Sequence, residues 1–226
     1  MRRLHGQMFF LYGTIAGLAI REAFVRVGPT LVSFLSSTTE PWKIHLEATR
    51  LAVFFFAIST FYVGSVAFFD KCYISEDAGT SYPRSKYAYD FWFGLIHFVL
   101  FFLCAITIND FARTKSGLSL FLIYLASVFL YDLLWLYINR GQDTFEEIKV
   151  WAWSSAAAIF LAWVAFLIAK HVLSLGDVIA EYASLAIIAA YLLIDLAELL
   201  TGNQYISLAL VGLLPKKIAK TPPSSQ

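Results

Sequence analysis

The chain has 226 residues, of which 59% are hydrophobic and 15% are charged. Soluble domains usually carry about 25% charged residues, so the composition excludes an ordinary soluble domain and predicts an integral membrane protein. The net charge of +1 argues against a nucleic-acid partner, because neutralising phosphates requires a surplus of Lys and Arg on one face. The predicted partner is instead the lipid bilayer.

A hydrocarbon core about 30 Å thick needs about 20 helical residues to cross it, and six stretches of the sequence meet that need. They are Met8–Ser36, Leu51–Phe69, Phe91–Asn109, Gly117–Asn139, Val150–Ala169 and Val178–Leu200. We therefore predict an all-α polytopic helical membrane protein with six transmembrane helices, forming a single domain over residues 1–204.

The first stretch is interrupted by Arg21, Glu22 and Arg26. Read as one helix, it is long enough to cross with tilt, and Arg21 and Glu22 fall near its middle. Glu22 and Arg26 are four residues apart and can form an intramembrane salt bridge along the helix, which leaves Arg21 needing another acid or water. The alternative is a signal peptide, although no polar segment precedes a cleavage site.

The residues after the sixth stretch are too few to cross again. Tyr205–Leu214 is predicted to be a short C-terminal interfacial helix, held to anionic headgroups by nearby lysines, and a disordered tail completes residues 205–226. Lys and Arg flanking the spans divide ten to five between the two sides, with Arg50 counted among the five. This bias predicts both termini in the cytoplasm and a multi-pass protein of the plasma (inner) membrane.

Three of the predicted helices carry polar residues at steps of three and four, which places them on one face of each helix. In the third, fourth and sixth stretches these faces are Asp90, Gly94, His97, Phe101, Cys104 and Ile108; Tyr124, Val128, Asp132, Trp135 and Asn139; and Glu181, Ser184, Ile188, Tyr191, Asp195 and Glu198. Because polar side chains in a bilayer need partners, these faces are predicted to point inward.

At a rise of about 1.5 Å per residue, His97, Asp132 and Asp195 come to a similar depth in the cytoplasmic half of the membrane. An imidazole titrates near neutral pH, so such a cluster is typical of a proton or small-cation pathway, which Asp90 and Glu198 would extend. Two alternatives stay open. The cluster can simply hold the helices together, and Glu181 and Glu198 are near enough to span ends to face headgroup water.

Catalytic and cofactor motifs are absent from the sequence, which contains no HExxH, GxSxG, CxxC or phosphate-binding glycine loop. We therefore predict no enzyme activity, no cofactor and no metal. Trp135 and Trp151 lie near span ends, where aromatic anchors are expected. The favoured hypothesis is a channel- or transporter-like protein, as a homo-oligomer or with a partner membrane subunit. The alternative is a non-catalytic sensor or scaffold subunit that recruits a partner protein.

Overall fold

The computed structural model describes residues 2–35, 40–69, 73, 87–138 and 145–201. Over these ranges the protein is built from six helices and has no β-strand: α1 (Arg2–Leu35), α2 (Pro41–Phe69), α3 (Tyr87–Ile106), α4 (Leu120–Ile138), α5 (Phe145–Leu167) and α6 (Asp177–Thr201). Each helix is long and apolar enough to cross a membrane, so the prediction of an all-helical protein with six helices of that length and composition is confirmed. The predicted interfacial helix at 205–214 lies outside the described residues.

Helix α2 begins at Pro41, ten residues before the predicted start at Leu51. The added turns contain Glu47 and Arg50, which resemble a polar loop in the sequence but are both buried. Because the bundle encloses Glu47 and Arg50, these two charges do not mark the end of the helix. Helix α1 likewise continues through Pro29 to Leu35.

The helices form a closed ring in the order α1, α3, α4, α5, α6, α2, and α2 also touches α3 across the interior. Almost all described members of the three polar faces are buried, so these faces point into the ring as predicted. Only Tyr124 is half-buried, and Asn139 lies outside the described residues.

The ring has two ends, which are named here by a buried residue at each. At the Arg50 end lie the start of α2, the start of α6 and the segment 107–119 that joins α3 to α4. At the Asp90 end lie Tyr73, the start of α3 and the end of α4.

The contact between α1 and α3 depends on Gly94. A Cβ atom at this position would lie 2.7 Å from the ring carbon Cζ of Tyr12, whose hydroxyl donates a hydrogen bond of 2.6 Å to the carbonyl oxygen of Phe91. Only a residue without a side chain lets the Tyr12 ring, which is fully buried, pass this close to the α3 backbone.

We expect Gly94→Ala to lower the free energy of unfolding by about 1–3 kcal/mol, because the Tyr12 ring must shift within a packed core. Gly17→Ala on α1 is the matched control, since nothing lies within 4 Å of a Cβ at that position and Ala favours a helix over Gly. Unfolding in detergent, followed by circular dichroism, checks both. Equal stability of the two variants would contradict the proposed close packing.

Candidate functional site

The central feature of the ring is a buried contact between an imidazole and a carboxylate. Nε2 of His97 on α3 lies 2.9 Å from Oδ1 of Asp132 on α4, and the side chains are 2% and 3% exposed. The contact does not have the alignment of a hydrogen bond, and neither atom has another partner among the described residues. Both atoms are enclosed by the protein and face each other.

Aromatic rings hold the imidazole in place. The His97 ring lies 4.3 Å, between centroids, from the Phe61 ring of α2, and the Tyr131 ring of α4 meets it edge-on at 4.6 Å. Its other nitrogen, Nδ1, lies 3.3 Å from the carbonyl oxygen of Phe93. If Nδ1 carries the hydrogen and donates it to this carbonyl, Nε2 is the nitrogen that faces Asp132.

Hydroxyl groups continue the polar contacts from Asp132 to α5 and α6. Ser155 lies within hydrogen-bonding reach of Asp132, and its Oγ is 3.0 Å from the hydroxyl oxygen of Tyr191. That hydroxyl is in turn 3.2 Å from Oγ of Ser154. The His97 cluster, defined as His97, Asp132, Ser155 and Tyr191, thus joins four helices at one level of the ring.

Asp90 lies on the same face of α3 as His97, nearer the end of the ring. Its carboxylate accepts hydrogen bonds from the Tyr73 hydroxyl at 2.6 Å and from Nε1 of Trp135 at 2.9 Å. A cavity of about 10 Å³ lies between Asp90 and His97 and is also lined by Ser65. This is close to the smallest space that holds one water molecule.

The structure places Asp195 beside the His97 cluster rather than in direct contact with His97. Asp195 lies within hydrogen-bonding reach of Trp151 and close enough to Asp132 and Glu198 to interact with both charges. Asp195 and Glu198 are both buried, so the interpretation that Glu198 faces headgroup water is wrong. Among the described residues no three His, Cys, Asp or Glu side chains form a group that could hold a metal ion.

A second polar cluster lies at the Arg50 end and was missed by the sequence reasoning. Arg50 of α2 and Glu181 of α6 are both 0% exposed, with Nε to Oε1 at 2.7 Å and Nη2 to Oε2 at 3.1 Å. Arg113 also contacts Oε2 of Glu181, and Ser119 donates to Oε1 at 2.9 Å. Arg50 is therefore not a flanking surface cation, and Glu181 does not face water.

Between the two clusters the interior of the ring is apolar. Four helices contribute apolar residues that are fully or almost fully buried to this layer: Phe54 on α2, Phe101 on α3, Leu125 on α4, Leu185 and Ile188 on α6. The hydroxyl of Ser184 on α6 is also buried here and donates to the carbonyls of Ala162 and Ala180. From His97 to Ile108 this layer spans roughly 16 Å at 1.5 Å per residue. The His97 cluster is therefore nearer to water at the Asp90 end than at the Arg50 end.

Arg21, Glu22 and Arg26 of α1 lie away from both clusters. Nε of Arg26 is 2.8 Å from Oε1 of Glu22 on the surface of the helix, and Arg21 is exposed. The Arg26 carbonyl accepts a bond from Asn109, just beyond the end of α3. Arg21 is thus about 7 Å inside that level. Along α1 itself, Arg21 and Glu22 fall near the middle of the apolar span Gly6–Ser33, as the sequence predicts.

Comparison with known proteins gives no guide to identity, since no family model, no curated protein and no solved structure matches the chain. The six helices that are long and apolar enough to cross a membrane are compatible with the class of multi-pass membrane proteins.

Proposed function

We propose that this protein is channel- or transporter-like and that it conducts or couples to protons through His97 and Asp132. The observation that carries the proposal is their 2.9 Å contact inside the ring, because ionisable groups within membrane helices are costly and are usually functional. The size of the cavity beside His97 favours a proton, moving through a water molecule, over a hydrated cation.

The Asp90 end supplies the entrance in this proposal. A proton arriving at Asp90 would reach His97 through the water-sized cavity, and Asp132, Ser155 and Tyr191 would stabilise or pass on the charge. Asp195 and Glu198 provide further acceptors on α6. The bias of flanking Lys and Arg residues supports a cytoplasmic location for this end, and removing the buried Arg50 from the count strengthens that bias.

Purified protein in liposomes tests the proposal. With a proton gradient and a potassium-defined membrane potential, we expect a proton flux above that of empty vesicles, read from an internal pH-sensitive dye. The flux should depend on pH, because protonation of the imidazole is part of the route. Absence of flux from folded protein would contradict the proposal.

We expect Ser65→Val to reduce this flux at least about tenfold, which corresponds to a barrier higher by about 1.4 kcal/mol. The added methyl groups would occupy the cavity lined by Asp90 and His97 and leave no space in it for a water molecule. Thr60→Val is the matched control on α2, since Thr60 is also buried but does not line the cavity. A Ser65→Val protein with full flux would show that protons do not pass through the cavity.

A second candidate function is a sensor or scaffold subunit, and the position of Arg21 favours it. Arg21 is exposed on the face of α1 that also exposes Leu18 and Val25. In a bilayer, a carboxylate on a second copy or on a partner membrane subunit would satisfy this charge. Two results together would favour this function over proton transport. The protein would give no proton flux in liposomes, and it would form an oligomer or complex that Arg21→Ala dissociates.

A further inference from the structure

The segment 107–119 closes the Arg50 end of the ring. It is mostly irregular, and Arg50 binds it through two backbone oxygens: Nη1 donates to the carbonyl of Ile108 at 2.8 Å and to that of Asp110 at 2.9 Å. Arg113 and Ser119 of the same segment bind Glu181. We call Arg50, Arg113, Ser119 and Glu181 the Arg50 cluster. It fastens one segment to α2 and α6 at once.

A second attachment holds the segment at its exposed side. Lys170, in the π-helical turn Ile168–Val172 that ends α5, donates to the Ser116 carbonyl at 2.7 Å and lies 2.9 Å from Oδ1 of Asp177. Gly117 adopts a φ of +87°, and a Cβ there would meet Asp177. This attachment is partly exposed, so water can replace its bonds at little cost.

Buried ion pairs are not the most stable way to close one end of a helix bundle permanently. Well-packed apolar residues of similar volume usually give equal or greater stability, as the apolar layer beneath the cluster illustrates. Charged groups differ from that layer in one respect, because they are stable when paired and also stable when hydrated. An ion-paired closure can therefore open into water, whereas an apolar one resists it.

The segment 107–119 also joins the two helices that carry the His97 cluster. It follows α3, which bears His97, and precedes α4, which bears Asp132. A change in the His97–Asp132 contact that moves α3 relative to α4 must therefore pull on this segment. The connection links the buried contact to the closure at the far end.

We propose that the Arg50 cluster is the gate of the Arg50 end and that residues 107–119 are its moving element. Its role in transport rests on the proposed function. In the closed state described here, Arg50 and Arg113 hold the segment over the ring through Glu181. Separation of these pairs releases the segment and admits water to the layer beneath it.

Cys104 offers a native reporter of this opening. It is buried on α3, one turn before Ile108, whose carbonyl Arg50 holds. Cys72 is the other cysteine of the chain, so Cys72→Ser leaves Cys104 as the single thiol. Opening of the gate should make Cys104 accessible to a water-soluble maleimide.

The experiment measures the rate of maleimide labelling of Cys104 in nanodiscs, where both membrane faces are accessible. Glu181→Gln keeps the side-chain shape but removes the charge that holds both arginines, and should raise the rate about tenfold or more. Asp177→Asn is the control, because it weakens only the exposed attachment, and should change the rate less than about twofold. Should Glu181→Gln fail to fold, Arg113→Gln is expected to act in the same direction.

A labelling rate in folded Glu181→Gln that equals that of the Cys72→Ser parent would overturn the gate. So would equal acceleration by Asp177→Asn, since the buried pairs would then have no special role. The labelling rate of Cys104 is measured independently of any proton flux. The gate can thus be supported when liposomes are silent, and it can fail when they are active.

Discussion

Asp132→Asn is expected to reduce proton flux in liposomes at least about a hundredfold, since a positioned proton-transfer group contributes roughly 10²–10⁴ to a rate. Asparagine matches the shape of the aspartate and still accepts a hydrogen bond, but it cannot carry the charge that faces Nε2 of His97 at 2.9 Å. His97→Ala should reduce the proton flux by at least the same factor, because it removes the other side chain of the contact.

The fold should survive Asp132→Asn, because the change removes a buried charge without opening a cavity. Ser127→Ala, on the same helix, is the matched control. Among the described residues, the Ser127 hydroxyl bonds only the carbonyl of Ile123 one turn earlier, so wild-type flux is expected. Flux retained in folded Asp132→Asn would mean that His97 and Asp132 only hold helices together.

Arg50→Met is expected to lower the free energy of unfolding by about 3–5 kcal/mol, the usual cost of removing one partner of a buried ion pair. The methionine fills much of the volume, but Glu181 loses its bidentate partner and the carbonyls of Ile108 and Asp110 lose their donor. Denaturation in mixed micelles measures the change. Arg26→Met provides a contrast, since its pair with Glu22 is partly exposed and is worth about 1 kcal/mol at most.

The double variant Arg50→Met/Glu181→Leu should recover part of the lost stability. With both charges gone, no uncompensated carboxylate stays buried, and the two losses should not add. Additive losses, or a cost of Arg50→Met no larger than that of Arg26→Met, would contradict the buried ion pair as the feature that fastens the Arg50 end.

The six helices and the inward faces could be predicted from the sequence because both follow from local patterns. Hydropathy over about 20 residues locates a span, and steps of three and four locate a face. His97 and Asp132 were placed at one depth by counting residues from the span ends. The same counting cannot show which of two acids touches the imidazole, and it gave Asp195 equal weight with Asp132.

The Arg50 cluster could not be predicted in this way, because Arg50 and Glu181 are 131 residues apart in sequence. A charge near the end of an apolar run resembles a residue at the membrane surface, and only the segment 107–119 folding over it changes that environment. One signal was present: Glu181 continues the polar face of α6 that also holds Tyr191 and Asp195. A charge that continues an inward face is better read as buried.

Trp135 shows a related limit. A tryptophan near a span end is typical of an aromatic anchor in the headgroup region, yet Trp135 is buried and its Nε1 donates to Asp90. Trp151 is half-buried and lies within hydrogen-bonding reach of Asp195. Both indoles thus lie beside buried carboxylates, which need hydrogen-bond donors such as an indole N–H.

The account depends most on one physical claim, that the His97–Asp132 contact exchanges a proton with water at the Asp90 end. Nitrogen-15 NMR of the His97 ring in nanodiscs, assigned by comparison with His97→Ala, tests it directly. We predict that the ring changes reversibly between its neutral and charged signals across the pH range in which the protein stays folded, and that Asp132→Asn shifts the midpoint. A His97 ring that keeps one protonation state over that whole range would contradict the claim.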